Sequence, residues 1–346
     1  MSTARRDTTS TPGESGMNAV VLERFGGIDE LIARQIPVPE VGSDDVLIRV
    51  EVAGVGSWDA EERAGEYEGG FGIPSTFPYV LGWDAAGTIA EVGSNVTDFE
   101  VGDRVYAATM PVPRGGFYRE YGVVEAEYVA RTPPEMSTEL AGAMAWDALT
   151  AQSGLDVLAL APGDSLVVFG ASGGIGHMAL QLAKHRQIKT FAVASGPDGV
   201  ELARQLGADG VVDGRKADAE ASASEFAPNG FDGGLFTAGG PTAERVMRSI
   251  KDSGTIAWPN GVLPEPPKKA GPEVTHFDAD RSRASTDRLN AVIEAGGLSV
   301  HIAETFPMNS VRDAHRALQE HYIGKLAMRV ATSAASQWAP RADVHN

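Results

Sequence analysis

One glycine-rich turn constrains the fold of this chain more than any other feature. The turn, ASGGIG at 171–176, joins the continuous apolar run SLVVFG at 165–170 to the amphipathic run GHMALQLAKHR at 176–186. The first run has the composition of a fully buried strand, and the second has the periodicity of a helix that covers a sheet. A strand, a tight glycine turn and a helix in this order predict the first βαβ unit of a doubly wound α/β fold.

The spacing of the turn is that of a dinucleotide-binding fingerprint in which alanine replaces the first glycine. In such a turn the second glycine lets the backbone approach a pyrophosphate, and the third lets the helix pack closely on the strand. Free N–H groups and the positive end of the helix dipole favour an anion at the same place. The residues that we predict to bind the phosphates of a nucleotide cofactor are Ser172, Gly173, Gly174, Ile175 and Gly176.

The same turn also matches the G-x-S-x-G nucleophile elbow of α/β-hydrolases, with Ser172 as the nucleophile. A hydrolase of that kind needs an acid and then a histidine downstream. The histidines that could serve are His276, His301, His315 and His321. However, no HGGG-type oxyanion segment precedes the turn, and a β-rich region of over a hundred residues stands where several strands of the hydrolase sheet are required. The nucleotide-binding interpretation is therefore favoured, and the hydrolase is kept as an alternative.

Strand-like and helix-like runs alternate after the turn. The strand-like runs are KTFAVA (189–194), GVVD (210–213), GGLFTAG (233–239) and GTIAWP (254–259). GVELARQLGA and TAERVMRSI stand between them with helical periodicity. This alternation predicts a parallel sheet with helices on both faces, which is a nucleotide-binding architecture.

The region before Pro134 has a different composition and pattern. Short β-rich runs, among them VLIRVEVAGVG at 46–56 and VGDRVYAA at 101–108, are bounded by Gly, Pro or Asp. Such runs predict a small β-rich domain with few helices. The length of 346 residues, against about 150 for one domain, also indicates two domains.

Charge and cysteine content exclude several classes of partner and site. Lys and Arg number 29 and Asp and Glu 47, and the net charge of −18 repels nucleic-acid phosphates and anionic lipid surfaces. With no cysteine and seven scattered histidines, we expect no disulfide, no cysteine nucleophile and no metal site. Residues 1–16 and 333–346 are polar and predict disordered tails. The first tail lacks the apolar core of a signal peptide, so we expect a cytoplasmic protein.

Seven motifs follow one another from Met17 to about Val330 in the order of a known family. They are LIRVEVAGVGSWDAEERAGEY, YVLGWDAAGTIAEVGSNVTDFEVGDRVYA, GGFYREYGVVEAEYVARTPPEMS, LVVFGASGGIGHMALQLAK, LGADGVVD, FDGGLFTAGG and FPMNSVRDAHRALQEHYIGKLAMRV. Together they resemble the zinc-lacking medium-chain dehydrogenase/reductase superfamily, in its NADPH:quinone oxidoreductase-like and enoyl reductase group. The resemblance implies a GroES-like β-rich catalytic domain at 17–135 and 275–332, interrupted by a Rossmann cofactor domain at 136–274.

The resemblance also shows where this chain departs from its relatives. Zinc-dependent members hold the metal with a cysteine at the place of Gly56, a histidine at the place of Trp83 and a further cysteine. The present residues cannot supply those ligands, which excludes a zinc alcohol dehydrogenase. Quinone reductases of the group carry asparagine where Gly56 stands, whereas Asp59, Arg63 and Tyr67 match their D…R…Y pattern.

The resemblance implies a substrate pocket formed by Gly56, Ser57, Trp83 and Trp146. Trp83 falls at the old metal position and Trp146 in the loop that faces the nicotinamide, so both could narrow the pocket around an unsaturated substrate. Tyr67 is placed over the active-site cleft. Its phenol could donate a hydrogen bond to a carbonyl oxygen that gains charge, which makes it the candidate catalytic residue.

Other polar residues nearby have structural interpretations. Asp59 and Arg63 are four residues apart and are expected to pair on a helical turn. The glutamates of the segment are expected to form a solvated acidic face, and they are Glu61, Glu62, Glu66 and Glu68. Asp147 has two interpretations, an anion that disfavours acidic substrates or a capping or surface residue.

The cofactor preference is predicted from the end of the second strand of the βαβ series. NAD-selective sites place an acid there, about 20 residues after the glycine turn, and this chain has Ala194-Ser195-Gly196-Pro197. An uncharged end leaves room for the 2′-phosphate of NADPH, to which Ser195 can donate. Gly199 replaces the basic residue common in relatives, so Arg204 or Arg215 would have to reach the phosphate. Further cofactor-binding residues implied by the family motifs are Thr150, Gly240 and Lys325.

These observations predict a zinc-independent, NADPH-dependent reductase that transfers hydride to the conjugated C=C bond of a small enone, enal or similar electron-poor alkene. An NADPH:quinone reductase, a Ser172 hydrolase and a non-catalytic NADPH-binding protein are the alternatives. A homodimer is also expected, because relatives pair through the edge of the cofactor sheet and GTIAWP would otherwise be an exposed apolar edge strand.

Overall fold

A computed structural model of the chain describes residues 16–69, 73–111, 114–267 and 271–330. Apart from Gly16, which begins the first strand, the two predicted tails lie outside these residues. The strands are β1 (Gly16–Val21), β2 (Ile32–Pro37), β3 (Asp45–Val55), β4 (Asp84–Val92), β5 (Arg104–Ala108), β6 (Tyr121–Glu125), β7 (Val129–Arg131), β8 (Ser165–Phe169), β9 (Lys189–Ala194), β10 (Gly210–Asp213), β11 (Phe231–Phe236), β12 (Ile250–Pro259), β13 (Glu273–Phe277), β14 (Ile302–Pro307) and β15 (Lys325–Arg329). The α-helices are α1 (Ser57–Ala64), α2 (Thr138–Leu158), α3 (Gly174–His185), α4 (Gly196–Gln205), α5 (Ala219–Phe226), α6 (Pro241–Met247), α7 (Arg283–Glu294) and α8 (Val311–Ala317).

A six-stranded parallel sheet confirms the doubly wound architecture. Its strand order is β10-β9-β8-β11-β12-β13, and every pairing is parallel. Consecutive residues of β8 belong to different cores: Leu166 and Val168 pack in one cluster and Val167 in another. Because neighbouring side chains of a strand point to opposite faces, both faces of this sheet are covered.

The homodimer was predicted on the expectation that GTIAWP is an edge strand, and this expectation was wrong. GTIAWP belongs to β12, which pairs with β11 on one side and with β13 on the other. The edges of the sheet are β10 and β13, and β13 was not predicted from the sequence. The strand was missed because it follows a polar loop and has only five residues. Three of them carry polar side chains, Glu273, Thr275 and His276.

A second sheet has the order β14-β15-β3-β4-β5-β7, with β6 pairing to β3. All its pairings are antiparallel except β14 with β15. Its strands come from both sides of the parallel sheet in the chain, so this GroES-like domain is discontinuous. The strand β13 spans the 274/275 boundary placed in the sequence, so the parallel sheet extends slightly beyond that boundary.

Helix α2 fixes the two sheets against each other. Its first turn is capped by Ser137, whose hydroxyl accepts a hydrogen bond from the Leu140 N–H at 3.2 Å. A Cβ on Gly142 would lie 2.6 Å from the Val52 carbonyl oxygen of β3, and a Cβ on Gly154 would lie 2.8 Å from the Leu235 side chain of β11. Glycine at these positions lets one helix pack closely on both sheets, and the cleft between the sheets is thereby held at a defined width. Among the described residues, no helix is long and apolar enough to cross a membrane.

Candidate active site

Two neighbouring cavities lie in the cleft between the sheets. The glycine-turn cavity, of about 410 Å³, is lined by the turn at 172–174, the loops after β9 and β10, and the start of α1. The aromatic cavity, of about 430 Å³, is lined mainly by residues that follow α1, by α2 and by the loops after β12 and β13. Trp58 and Gly261 line both cavities, so these two residues form the boundary between them.

The glycine turn fits a pyrophosphate. Helix α3 begins at Gly174, and no side chain caps its first N–H groups. A Cβ on Gly173 would have only one neighbour within 4 Å, the Gly170 carbonyl oxygen at 3.4 Å, so the backbone here is open to a ligand. On the opposite side, a Cβ on Gly176 would lie 2.2 Å from that same oxygen. One glycine of the turn is thus open and another packs against the strand, which is the arrangement expected of a pyrophosphate site.

The loop after β9 is tied to the glycine turn and to the loop after β10. The Ser195 N–H donates to the Ser172 hydroxyl at 3.1 Å. Asp213, at the end of β10, accepts from the N–H groups of Gly196 at 3.2 Å and Arg215 at 3.0 Å. Since its carboxylate is engaged by these two backbone groups, Asp213 fixes the loop that carries Arg215 instead of facing the cavity.

Gly199 stands where many relatives have a basic residue, and the structure gives a reason for the glycine. A Cβ at this position would lie 2.7 Å from the Ser172 Cβ. A longer side chain would therefore collide with the glycine turn. The preceding residue, Asp198, is paired with His321 at 2.9 Å and accepts from the Gly199 N–H.

A buried ion pair closes the inner end of the glycine-turn cavity. Lys325 donates to Asp147, and the two side chains are 6% and 8% exposed. A Cβ on Gly174 would lie within 3 Å of both, which places the pair beneath the start of α3. Burial alone would lower the pKa of Lys325, but the charges of Asp147 and Asp84 outweigh burial and raise it. Asp147 is thus neither a surface residue nor an unbalanced anion.

Helix α1 carries buried carboxylates, and one of them, Glu62, contradicts the predicted solvated acidic face, whereas Glu66 and Glu68 are exposed. Asp59 accepts from the Gly56 N–H at 2.8 Å, and burial raises its pKa to about 8. Glu62 is 2% exposed and accepts from the Tyr79 hydroxyl and from the Trp83 indole N–H, the latter at 2.7 Å. Burial raises its pKa to about 7. These side chains point inward because the helix lies between the antiparallel sheet and the cleft, with three polar residues on its inner face.

The predicted pair of Asp59 with Arg63 was also wrong. Arg63 contacts the His315 Nδ1 at 2.7 Å and the Gly26 carbonyl oxygen at 3.2 Å. Both partners come from other parts of the chain, α8 and the loop after β1. A long-range contact therefore replaces the local i,i+4 pair that the spacing suggested.

Aromatic side chains form the walls of the aromatic cavity. The rings of Trp83 and Trp146 meet edge to face with centroids 4.6 Å apart, and Tyr67 meets Trp83 in the same way at 5.9 Å. The Tyr67 hydroxyl donates to the Glu61 carboxylate. The guanidinium carbon of Arg281 lies over the Trp146 ring, 5.8 Å from the ring centroid. This geometry suits a flat, conjugated molecule that stacks between rings.

Comparison with known proteins identifies the family. Residues 42–134 match the model of the alcohol dehydrogenase GroES-like domain, and residues 174–269 match that of the zinc-binding dehydrogenases. The chain is 32% identical over 323 residues to the chloroplastic NADPH-dependent alkenal/one oxidoreductase of Arabidopsis thaliana, covering 90% of this chain and 79% of that one. The chain belongs to the medium-chain dehydrogenase/reductase (MDR) superfamily.

Two further similarities agree with this assignment. The 2-methylene-furan-3-one reductase of Solanum lycopersicum is 30% identical, over 76% of this chain and 67% of that protein. The crystal structure of an alcohol dehydrogenase superfamily protein from Novosphingobium aromaticivorans superposes with a TM-score of 0.82 at 26% identity, covering 91% of this chain and 100% of that one. The predicted resemblance to the MDR superfamily is confirmed.

The site residues predicted from the sequence of this MDR protein are divided between the two cavities. The glycine-turn cavity is lined by Gly56, Ser57, Ser172, Gly173, Gly174, Ile175, Ser195, Arg215 and Lys325. The aromatic cavity is lined by Tyr67, Trp83, Trp146 and Thr150. Gly176 and Gly240 are among the described residues that line neither cavity.

Five of these positions differ from the prediction in place or in contacts. Gly56 and Ser57, predicted for the substrate pocket, start α1 on the side of the glycine turn. Trp146 lies within α2 and not in a loop, and the Thr150 hydroxyl, one turn later, donates to the Trp146 carbonyl oxygen at 2.8 Å. Gly240, with a φ of +104°, starts α6, where a left-handed conformation accounts for the glycine.

Several residues of the candidate site were not predicted from the sequence. Trp58 and Gly261 form the boundary between the cavities, and a Cβ on Gly261 would lie 2.5 Å from the Trp58 ring. A tryptophan in an otherwise polar helix was a usable signal for Trp58. No sequence pattern indicated Arg281, because it lies in a polar loop after a strand that was not predicted. Among the described residues there is no group of three or more His, Asp or Glu side chains arranged to hold a metal.

We expect the buried carboxyls to make this MDR protein less stable as pH rises. Asp59, Glu62 and Asp84 have pKa values raised by burial to about 8, 7 and 6. In the unfolded chain they titrate near ~4, so between pH 4 and 8 these three carboxyls hold more protons in the folded state. The free energy of unfolding, measured with urea, should fall by more than ~1 kcal/mol from pH 6 to 8. Glu62→Gln should flatten this dependence, whereas a wild-type curve that rises would contradict it.

Proposed function

We propose that this chain is a zinc-independent, NADPH-dependent reductase that transfers hydride to the conjugated C=C bond of a small enone, enal or similar activated alkene. The observation that carries the proposal is the contact between the two cavities. A nucleotide-type glycine turn opens beside an aromatic pocket, and Trp58 and Gly261 line both cavities. The names of two relatives, an alkenal/one oxidoreductase and a furanone reductase, support the same class of substrate.

The residues of the glycine-turn cavity fit NADPH. The free N–H groups at the start of α3 would hold the pyrophosphate, and Ser195 with Arg215 would hold the 2′-phosphate. Asp198 and Asp213, near the ends of β9 and β10, are engaged by His321 and by backbone N–H groups and do not line this cavity. When bound, the cofactor supplies a hydride to the substrate.

The chain's own residues bind, orient and polarise the substrate. Trp83, Trp146 and Trp58 would stack on a flat conjugated molecule and exclude water from its reacting carbon. Tyr67, whose hydroxyl lies at the wall of the same cavity, would donate a hydrogen bond to the carbonyl oxygen as that oxygen gains charge. No thiolate is available for zinc because the sequence has no cysteine, so polarisation of the carbonyl is assigned to a hydrogen-bond donor.

Arg215→Ala should raise the KM for NADPH about 10- to 100-fold and leave the KM for NADH nearly unchanged. A charge-assisted hydrogen bond to a phosphate contributes ~1.5–3 kcal/mol, and NADH lacks the 2′-phosphate. Steady-state kinetics with both cofactors measures this difference. Arg204→Ala is the matched control, since Arg204 is the other candidate base and does not line the cavity. A wild-type preference for NADH would overturn the cofactor assignment.

Assay of purified protein with NADPH and a panel of enones, enals, unsaturated thioesters and quinones tests the function. Reduction of alkenes with saturated carbonyl products supports the proposal. A preference for quinones, whose flat ring also fits the aromatic walls, would replace it with a quinone reductase, and NADPH binding without turnover would indicate a binding protein. Activity lost to a chelator, with zinc retained after dialysis, would contradict zinc independence.

Assembly and location are also part of the proposal. We propose a homodimer that pairs along β13, because this strand is an edge of the parallel sheet in the described residues. The cytoplasmic location expected from the composition stays a prediction.

A further inference from the structure

The hydrogen bond between Tyr67 and Glu61 limits what the tyrosine can do. A tyrosine hydroxyl has one proton to donate. In this structure that proton is donated to the Glu61 carboxylate. While Glu61 is ionised, Tyr67 therefore presents only lone pairs to the aromatic cavity. If Glu61 is protonated, its O–H donates to the Tyr67 oxygen, and the tyrosine proton is released toward a substrate.

The two side chains of this pair belong to different cavities. Glu61 lines the glycine-turn cavity and Tyr67 lines the aromatic cavity. The pair thus connects the glycine-turn cavity to the proposed substrate pocket. Burial raises the pKa of Glu61 above its ordinary range, the hydrogen bond from Tyr67 opposes this effect, and the charge of Glu66 adds to it. The carboxyl therefore keeps its proton to a higher pH than an exposed glutamate does.

We infer that Glu61 and Tyr67 form a proton relay to the reduced substrate. This inference rests on the proposed alkene reduction. After hydride has been added to the β-carbon, the two electrons of the C=C bond reside on an enolate. The Tyr67 O–H bond breaks as its proton passes to the enolate, the Glu61 proton passes to the Tyr67 oxygen, and water in the glycine-turn cavity reprotonates Glu61. One hydride and one proton are consumed for each saturated carbonyl formed.

The charges that face this pair come from several elements. From the same segment, the anions are Glu62 and Glu66. Across the aromatic cavity, the loop after β13 contributes Asp278 and Arg281. Across the glycine-turn cavity stand Asp147, Arg215, Glu320, His321 and Lys325. Lys325 is paired with Asp147, and His321 with Asp198, so the carboxyl's hydrogen bond in the structure is the one from Tyr67.

The kinetic test compares Glu61→Gln with the wild type over pH 5–9 in single-turnover reduction of an enone. In the wild type the rate should fall about tenfold per pH unit above the Glu61 midpoint, because the donor is the protonated carboxyl. The amide of Glu61→Gln has no acidic proton to pass to Tyr67, so the variant should reduce the enone more slowly than the wild type at low pH, and its rate should not show this decline. Glu68→Gln, which removes an exposed charge of the same loop, should keep the wild-type profile. A decline that Glu61→Gln leaves unchanged would overturn the relay.

A second measurement on cofactor-free protein separates this inference from the proposed function. With glutamate labelled at the carboxyl carbon, the resonance absent from Glu61→Gln identifies Glu61, and its midpoint should match the kinetic midpoint. The midpoint should rise further in Tyr67→Phe, because the tyrosine hydrogen bond stabilises the ionised carboxyl. A midpoint near ~4.3, the ordinary value for glutamate, would overturn the relay even if the enzyme reduces enones. If no alkene is reduced, the proposed function fails and the relay fails with it.

Discussion

Tyr67→Phe is expected to lower kcat for an enone by about 10²- to 10³-fold while leaving the fold intact. The variant keeps the ring that packs edge to face on Trp83 and removes the hydroxyl at the wall of the aromatic cavity, which we propose donates to the developing oxyanion when Glu61 is protonated. Loss of one donor aimed at transition-state charge has this magnitude in other enzymes. Loss of one partly buried hydrogen bond costs only ~0.5–1.5 kcal/mol of stability. Single-turnover kinetics and urea unfolding of the same preparation measure the two quantities.

Tyr106→Phe is the matched control for this variant. Tyr106 is a buried tyrosine whose hydroxyl donates to the Asn290 side chain at 2.9 Å, and it lines neither cavity among the described residues. Its loss should lower stability by a similar amount and leave kcat unchanged. If Tyr67→Phe behaves like Tyr106→Phe, the tyrosine packs the cavity wall, and another group polarises the carbonyl.

The parallel sheet was predictable because its signals are local. The run at 165–170 is apolar throughout since both faces of β8 are buried, and the glycine turn must follow it for the helix to pack. The predicted limits of β9 and β10 coincide with the observed Lys189–Ala194 and Gly210–Asp213. Where apolar periodicity was weaker, the prediction failed: the strand expected near 298–302 begins at Ile302, and β13 and α5 were not predicted.

The candidate site was harder to predict because its polar contacts join distant parts of the chain. The sequence EERAGEYE has the composition of a solvated segment, yet Glu62 is buried by Tyr79 and Trp83, 17 and 21 residues away. Lys325 and Asp147 are 178 residues apart, so nothing in the neighbourhood of either predicts the pair. The family resemblance implied that Lys325 binds the cofactor, but it did not indicate that Asp147 is the buried partner of this lysine. Local sequence patterns determine where helices and strands form, whereas the tertiary fold determines which buried charges neutralise each other.

Lys325→Met is expected to lower the free energy of unfolding by about 3–5 kcal/mol. The methionine fills a similar volume and removes the cation that neutralises Asp147 in a buried environment. A buried carboxylate left without its partner carries an uncompensated desolvation cost, which is the large term when one half of a buried pair is removed. Asp84 would lose the same cation, and its pKa, already raised by burial to about 6, should rise further. Urea unfolding of the variant and the wild type at the same pH measures the difference.

Two comparisons separate the loss of charge from the loss of packing. Arg316→Met removes a cation from the exposed pair with Asp313, whose side chains are 54% and 61% exposed, and should change stability by less than ~1 kcal/mol. The double variant Lys325→Met with Asp147→Asn removes both charges and should recover much of the loss, because the amide needs only hydrogen bonds and no counter-ion. If the double variant is as unstable as Lys325→Met, the lysine stem contributes through packing beneath α3. The charge of Asp147 would then be tolerated without a cation.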